Sequence, residues 1–218
     1  ISRLYWLLYL LYQLKYLFEN LDLKELKARN IHVSNTPDIP TTAVAEHTVA
    51  LIFALAKRLI ESDHFTRAGK YRCWEPNLLL GTELQGKTLG IIGLGRIGSG
   101  VAERCQSMGM KIIYHDRART ADFETKTGAK FAALETLLRS SDFVSIHLPL
   151  LPATHHLINA KALRQMKKSS YLINTARGPI VDEQALVAAL KRGALKGAAL
   201  DVYEHEPKIS SELRRLTN

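Results

Sequence analysis

Residues 87–116, KTLGIIGLGRIGSGVAERCQSMGMKIIYHD, constrain the fold more than any other stretch. An apolar run of strand length, 89–94, ends in Gly93, Leu94, Gly95, Arg96, Ile97 and Gly98, a GxGxxG. Ile97, Val101, Ala102 and Cys105 then recur at helical spacing, and Gly109 stands where a C-cap belongs. Residues 110–114 read as a second buried strand, with Asp116 just past its end. Each residue type has a physical reason. Gly93 permits a tight turn, Gly95 lets a pyrophosphate approach the backbone, and Gly98 lets the helix pack closely on the sheet. The helix start turns N–H groups and the positive end of its dipole toward phosphates. A carboxylate about twenty residues beyond the glycines can take both hydroxyls of an adenosine ribose.

The rest of the chain continues the alternation. Residues 23–28 read as a short helix ended by Asn30, 31–33 as a short strand, and Asn35, Pro37 and Pro40 as a loop. Thr41 or Thr42 can cap a long helix whose apolar positions run from Val44 to Ala56, with 62–70 as its continuation. Residues 72–82 are irregular. Helices are expected at 121–127, 134–139, 160–166 and 182–191, and strands at 143–147, 171–174 and 198–202. Strands alternating with helices imply an α/β fold, a Rossmann-type doubly wound parallel sheet. In such sheets ligands bind at the C-terminal ends of the strands.

Composition narrows the partners. The two cysteines, Cys73 and Cys105, are far apart and supply neither a disulfide framework nor a zinc spacing, which fits a cytoplasmic protein with no metal. The net charge is +9, but the basic residues are scattered without interleaved aromatics, so no nucleic-acid partner is expected. Residues 1–20, ISRLYWLLYLLYQLKYLFEN, are rich in Leu and Tyr. Gln13 and Lys15 interrupt a run too short to span a bilayer, so no membrane role is expected; the stretch reads as a core-facing or partner-facing helix, or as a damaged or mistranslated remnant.

The residues just past the strand ends carry the chemistry: the glycine turn, Asp116, His147 with Pro149, Thr175-Ala176-Arg177-Gly178, then Asp201 and Glu206. An arginine directly after a strand can clamp a carboxylate and its neighbouring carbonyl with its planar fork. Glu206 could pair with a catalytic imidazole and raise its pKa. His47 reads as a packing or interface residue, His155 and His156 as polar surface, and His205 as a solvated loop residue.

The stretches NTPDIPTTAVAEHTVALIFALAKR, ELQGKTLGIIGLGRIG, SSDFVSIHLPLLPATHHLIN and LINTARGPIVDEQALVAALKRGALKGAALDVYEHEP resemble the D-isomer-specific 2-hydroxyacid dehydrogenases, most of all their glyoxylate/hydroxypyruvate reductase branch. The resemblance implies an oxidoreductase that moves hydride between a nicotinamide and a small 2-oxo or 2-hydroxy acid. It makes Arg177 the substrate-binding arginine and Glu206 the partner of the catalytic histidine. It assigns Gly93, Leu94, Gly95, Arg96, Ile97, Gly98, Asp116, His147, Pro149, Thr154, Thr175, Ala176, Arg177 and Asp201 to the cofactor. The acid at 116 favours NAD, because its charge repels a 2′-phosphate; Arg117 and Arg119 beside it keep NADP possible. The helix starting near Thr42 would form a homodimer interface. Residues 1–39 would be the remnant of a flavodoxin-like substrate domain, and 40–218 the NAD-binding Rossmann domain. The family's catalytic histidine belongs to a Pro-His motif shortly after the Glu-Pro pair, and none of the eight histidines here fits it, so impaired turnover is expected. A non-catalytic NAD(H)-sensing module, like the corepressors of a related group, is the alternative.

Overall fold

The computed structural model describes residues 22–32 and 38–218. The readings for 1–20, Val33, Asn35 and Pro37 lie outside the described residues. The chain divides into two compact units, 1–40 and 41–218. In the first, α1 (Leu23–Ala28) is capped by Asp22, whose carboxylate accepts the N–H groups of Lys24 and Glu25. Ile31 and His32 do not form the expected strand.

The next helix, α2 (Ile39–Ala56), begins ahead of Thr41 and Thr42, with Pro40 in its first turn. The missing N–H of proline costs nothing there, and its fixed φ suits a helix start, so neither threonine caps it. Residues 62–70 do not continue α2 either. Arg58 takes a left-handed conformation (φ 53°), and a separate helix, α3 (Leu59–Arg67), starts after it.

The second unit holds six strands: β1 (Thr88–Ile92), β2 (Lys111–His115), β3 (Lys130–Phe131), β4 (Phe143–Ile146), β5 (Tyr171–Asn174) and β6 (Gly197–Leu200). They form one sheet in the order β3-β2-β1-β4-β5-β6, and every pairing is parallel. The order reverses between β1 and β4, which opens a crevice at their C-terminal ends. Five helices complete the unit: α4 (Arg96–Ser107), α5 (Ala121–Thr127), α6 (Leu134–Ser140), α7 (Ala160–Gln165) and α8 (Glu183–Lys191).

The central strands β1, β4 and β5 are buried on both faces, as parallel sheets require. On one side Leu89, Ile91, Tyr114, Phe143 and Ile173 pack with Ala45 and Ile52 of α2 and Val101, Ala102 and Cys105 of α4. On the other, Ile92, Val144, Ile146 and Leu172 pack with Leu137 and Leu138 of α6, Leu163 of α7 and Leu186 and Leu190 of α8. The buried residues of α2, at 45, 48, 52 and 56, form one stripe. This helix is also long and apolar enough to span a bilayer by length and composition, with mean hydropathy 1.5. Of that window 22% is buried within this chain.

Candidate functional site

Register brings the site together. Ile92, His115, Ile146, Asn174 and Leu200, of β1, β2, β4, β5 and β6 respectively, lie in one row across the sheet. The next residue on each strand is therefore Gly93, Asp116, His147, Thr175 or Asp201. All five leave the sheet at one level on one rim.

The glycine turn is fixed by contacts no side chain would allow. Gly93 has φ +97°, and a Cβ there would lie 2.7 Å from the His147 carbonyl oxygen. A Cβ on Gly98 would lie 2.1 Å from the Gly93 oxygen, so the first turn of α4 sits directly on the loop. Gly95 differs: a Cβ there meets nothing within 4 Å. It is also the N-cap of α4, with no side chain to cover the first-turn N–H groups. Nothing in the protein crowds this position. That open cradle fits a pyrophosphate.

Asp116 is oriented toward this turn. Its Oδ2 accepts the Leu94 N–H at 2.8 Å and its Oδ1 accepts the Arg117 N–H at 2.6 Å. Asp116 and the glycine turn are thus one hydrogen-bonded piece.

His147 stands across the crevice, its Nε2 2.9 Å from the Ser145 hydroxyl. Burial pushes its pKa down to about 4, so it is neutral at physiological pH and adds no charge to the rim. The unfolded chain, with a pKa near 6.5, binds the proton first as pH falls. Stability contributed by neutral His147 is complete above about 6.5 and is lost as pH falls toward about 4. His147→Gln therefore flattens the decline in melting temperature between about pH 6.5 and 4; an unaltered slope in a melting series refutes this role. Farther along, the Thr154 hydroxyl donates to the Pro149 carbonyl at 2.7 Å and accepts the Leu151 N–H at 2.8 Å, closing the 149–154 loop.

The arginine turn is shaped by a residue outside the set expected from the sequence. Asn174, buried at the end of β5, donates from Nδ2 to the Arg177 carbonyl at 3.0 Å. Its Oδ1 accepts the Ala176 N–H at 3.0 Å. The side chain thereby bends Thr175, Ala176 and Arg177 into a turn, as asparagine does in Asx motifs. The Arg177 guanidinium donates from Nη1 to the Ala176 carbonyl at 2.7 Å. Thr48, fully buried on α2, shares a 2.9 Å hydrogen bond with the Thr175 hydroxyl. His47, expected as a packing or interface residue, places Nε2 3.3 Å from Asp201 Oδ1. Both polar contacts become visible only when α2 is laid against β5 and β6.

The last part of the site is the loop after β6. Gly178 presses on it so closely that a Cβ would lie 1.9 Å from the Tyr203 carbonyl oxygen. Glu204 Oε2 accepts the Glu183 N–H at 2.9 Å, and Glu183 Oε2 accepts the Glu204 N–H at 3.2 Å. His156, expected as polar surface, is 2.7 Å from Glu204 Oε1. Burial opposes the charge on Glu204, but the Glu183 N–H and His156 outweigh it and hold its carboxyl below the usual range. Glu206 is exposed, and its Oε1 accepts the Tyr203 N–H at 2.8 Å. His205 is exposed. Among the described residues no group of three His, Cys, Asp or Glu side chains is placed to hold a metal.

Residues 49–218 match the family model described as "D-isomer specific 2-hydroxyacid dehydrogenase, NAD binding domain". The chain belongs to the D-isomer-specific 2-hydroxyacid dehydrogenases. This dehydrogenase chain is 48% identical over 205 residues to a glyoxylate reductase of Thermococcus kodakarensis, covering 92% of the chain and 62% of that protein. It is 52% identical over 194 residues to a glyoxylate reductase of Aeropyrum pernix, covering 87% and 58%. Among solved structures it is similar to D-lactate dehydrogenase of Aquifex aeolicus, complexed with NAD and lactic acid: TM-score 0.80, 37% identity, 90% of this chain and 61% of that one. The chain thus spans about three fifths of the length of these relatives. The matched region is that family's NAD-binding domain.

Proposed function

We propose that this dehydrogenase domain holds NAD(H) along the rim and moves hydride between its nicotinamide and C2 of a small 2-oxo or 2-hydroxy acid, with glyoxylate or hydroxypyruvate as the substrate. The single observation that carries this is the in-register rim, from Gly93 and Asp116 through His147 to Thr175 and Asp201. The glyoxylate reductase relatives support the substrate class.

In this reading Leu94, Gly95, Arg96 and Ile97 carry the pyrophosphate and Asp116 takes the ribose hydroxyls. His147, Pro149 and Thr154 wall the crevice. Thr175, Ala176 and Asp201 face the nicotinamide, which supplies or receives the hydride when bound. Arg177 clamps the substrate carboxylate and polarises the carbonyl, since a guanidinium matches both oxygens with a planar fork. Glu206 would steady a general-acid histidine. His47 pairs with Asp201, His147 with Ser145 and His156 with Glu204. A positioned general acid contributes roughly a hundred- to ten-thousandfold in rate. The 218-residue chain therefore binds NADH but reduces glyoxylate slowly. Calorimetric titration with NADH beside a glyoxylate reduction assay checks both; brisk turnover would show that one of these histidines does the acid's work.

The domain pairs with a second copy through α2 and its surroundings, in the cytoplasm. Leu59, Ile60, Tyr71, Trp74 and Leu80 are exposed apolar residues on α3 and the segment after it, and Trp74 is 76% exposed. Apolar surface of this kind marks association.

A further inference from the structure

Asp116 is followed by two arginines, and one of them is held fast. Arg119 donates from Nε to Glu124 Oε1 and Oε2 at 2.8 and 2.9 Å, and from Nη2 to Oε2 at 2.6 Å. Glu124 is itself held from the sheet. The Tyr114 hydroxyl donates to Glu124 Oε1 at 2.7 Å and accepts the Thr120 N–H at 2.7 Å. Tyr114 is fully buried on β2, edge-on to Phe131 with ring centroids 5.4 Å apart. The Glu124 side chain is only 13% exposed, against 68% for Arg119. The carboxylate is thus a fixed anchor on the sheet, and the guanidinium is tied to it. A bidentate, anchored pair of this kind holds its geometry where an ordinary surface pair does not.

The tie occurs at a telling place. Arg119 lies three residues past the acid that would take the adenosine ribose. NADP differs from NAD by one 2′-phosphate on that ribose, and an arginine is the side chain best shaped to accept it. We propose that Glu124 is a specificity-determining residue: by binding Arg119 it withholds that guanidinium from a 2′-phosphate and keeps the domain selective for NAD. The proposal rests on the reading of the rim as the NAD(H) site and adds a second layer to Asp116. Asp116 repels the phosphate; Glu124 removes the cation that would offset the repulsion. Arg117 is common to wild type and variants, so its contribution cancels.

The test is calorimetric titration of the 218-residue chain with NADH, NADPH, 5′-AMP and 2′,5′-ADP, for the wild type, Glu124→Gln, Tyr114→Phe and the double variant Arg119→Ala/Glu124→Gln. Glu124→Gln should raise the NADPH-to-NADH affinity ratio on the order of tenfold, the scale of one freed charge-assisted pair. The 2′,5′-ADP to AMP ratio should move with it. Tyr114→Phe loosens the anchor while leaving both charges, and should shift the ratio the same way by a smaller factor. It carries the test if Glu124→Gln does not fold. The double variant should return to the wild-type ratio, because the gain needs Arg119. An unchanged ratio in the single variants overturns the proposal. So does a gain that survives loss of Arg119, which would assign it to the missing negative charge alone. A chain that binds none of the four ligands overturns the NAD(H) site itself and this proposal with it.

Discussion

Gly95→Ala should cost the chain about tenfold to a hundredfold in NADH affinity while leaving it folded. Three glycines of the turn differ in what surrounds them. Gly93 and Gly98 are demanded by the protein. A methyl group at 93 would sit at φ +97° against the His147 carbonyl, and one at 98 would press into the Gly93 oxygen. Alanine at either should lower the melting temperature whatever ligand is present. Gly95 has a φ of −76°, open to any residue, and its added methyl would meet nothing in the protein within 4 Å. The expected stability cost is that of a poorer N-cap, up to about 1 kcal/mol, or about 2–4 °C for a unit of this size. The methyl group would instead occupy the path of a pyrophosphate resting on the turn. An overfilled contact costs about 1–3 kcal/mol, which corresponds to that loss of affinity. Melting curves and NADH titration decide between the two explanations of this glycine. Full affinity in a folded Gly95→Ala variant would mean that the phosphates do not pass over residue 95.

The same contrast explains what could be read from the residues alone. The glycine turn, the strands beside it and the acid at 116 announce themselves because each is encoded locally, by spacing and by residue type. The two-residue β3 carries no such signal: Lys130 and Phe131 are both exposed, so no buried run marks it. The break between α2 and α3 rests on Arg58 in a left-handed conformation, although neither glycine nor proline stands there. The polar contacts that shape the rim are non-local. Thr48 meets Thr175 across 127 residues of chain, and Glu204 joins Glu183 and His156 across 21 and 48. In the sequence Thr48 is one more position on an apolar helix, and His156 one more loop histidine. Asn174 is the exception, since an asparagine ending a buried strand is itself a turn signal.

Gly178→Ala should be the most destabilising single methyl addition at the site, and its damage should reach Glu206. The glycine lies at the start of a short 3-10 turn, Gly178–Ile180, directly after Arg177. An alanine Cβ there would stand 1.9 Å from the Tyr203 oxygen, 2.0 Å from its carbonyl carbon and 2.6 Å from the Glu204 nitrogen. These are backbone atoms, so no side-chain rotation relieves the clash. The 203–204 segment cannot simply retreat, because Glu204 is bonded to Glu183 at two points and to His156 at a third. Either that clasp opens or the arginine turn shifts. Overpacking of about 1–3 kcal/mol, added to the loss of one or more buried hydrogen bonds at about 1 kcal/mol each, lowers the melting temperature by roughly 5–15 °C. The direction of the failure is also informative. Glu206 Oε1 accepts the Tyr203 N–H, so movement of Tyr203 displaces Glu206 with it. Glu204→Gln keeps the shape of the clasp and lacks the charge facing His156, and should lose less. A Gly178→Ala chain that melts with the wild type would show that the loop bearing Glu206 is free to slide past the arginine turn, and the two residues could not then be treated as one rigid site.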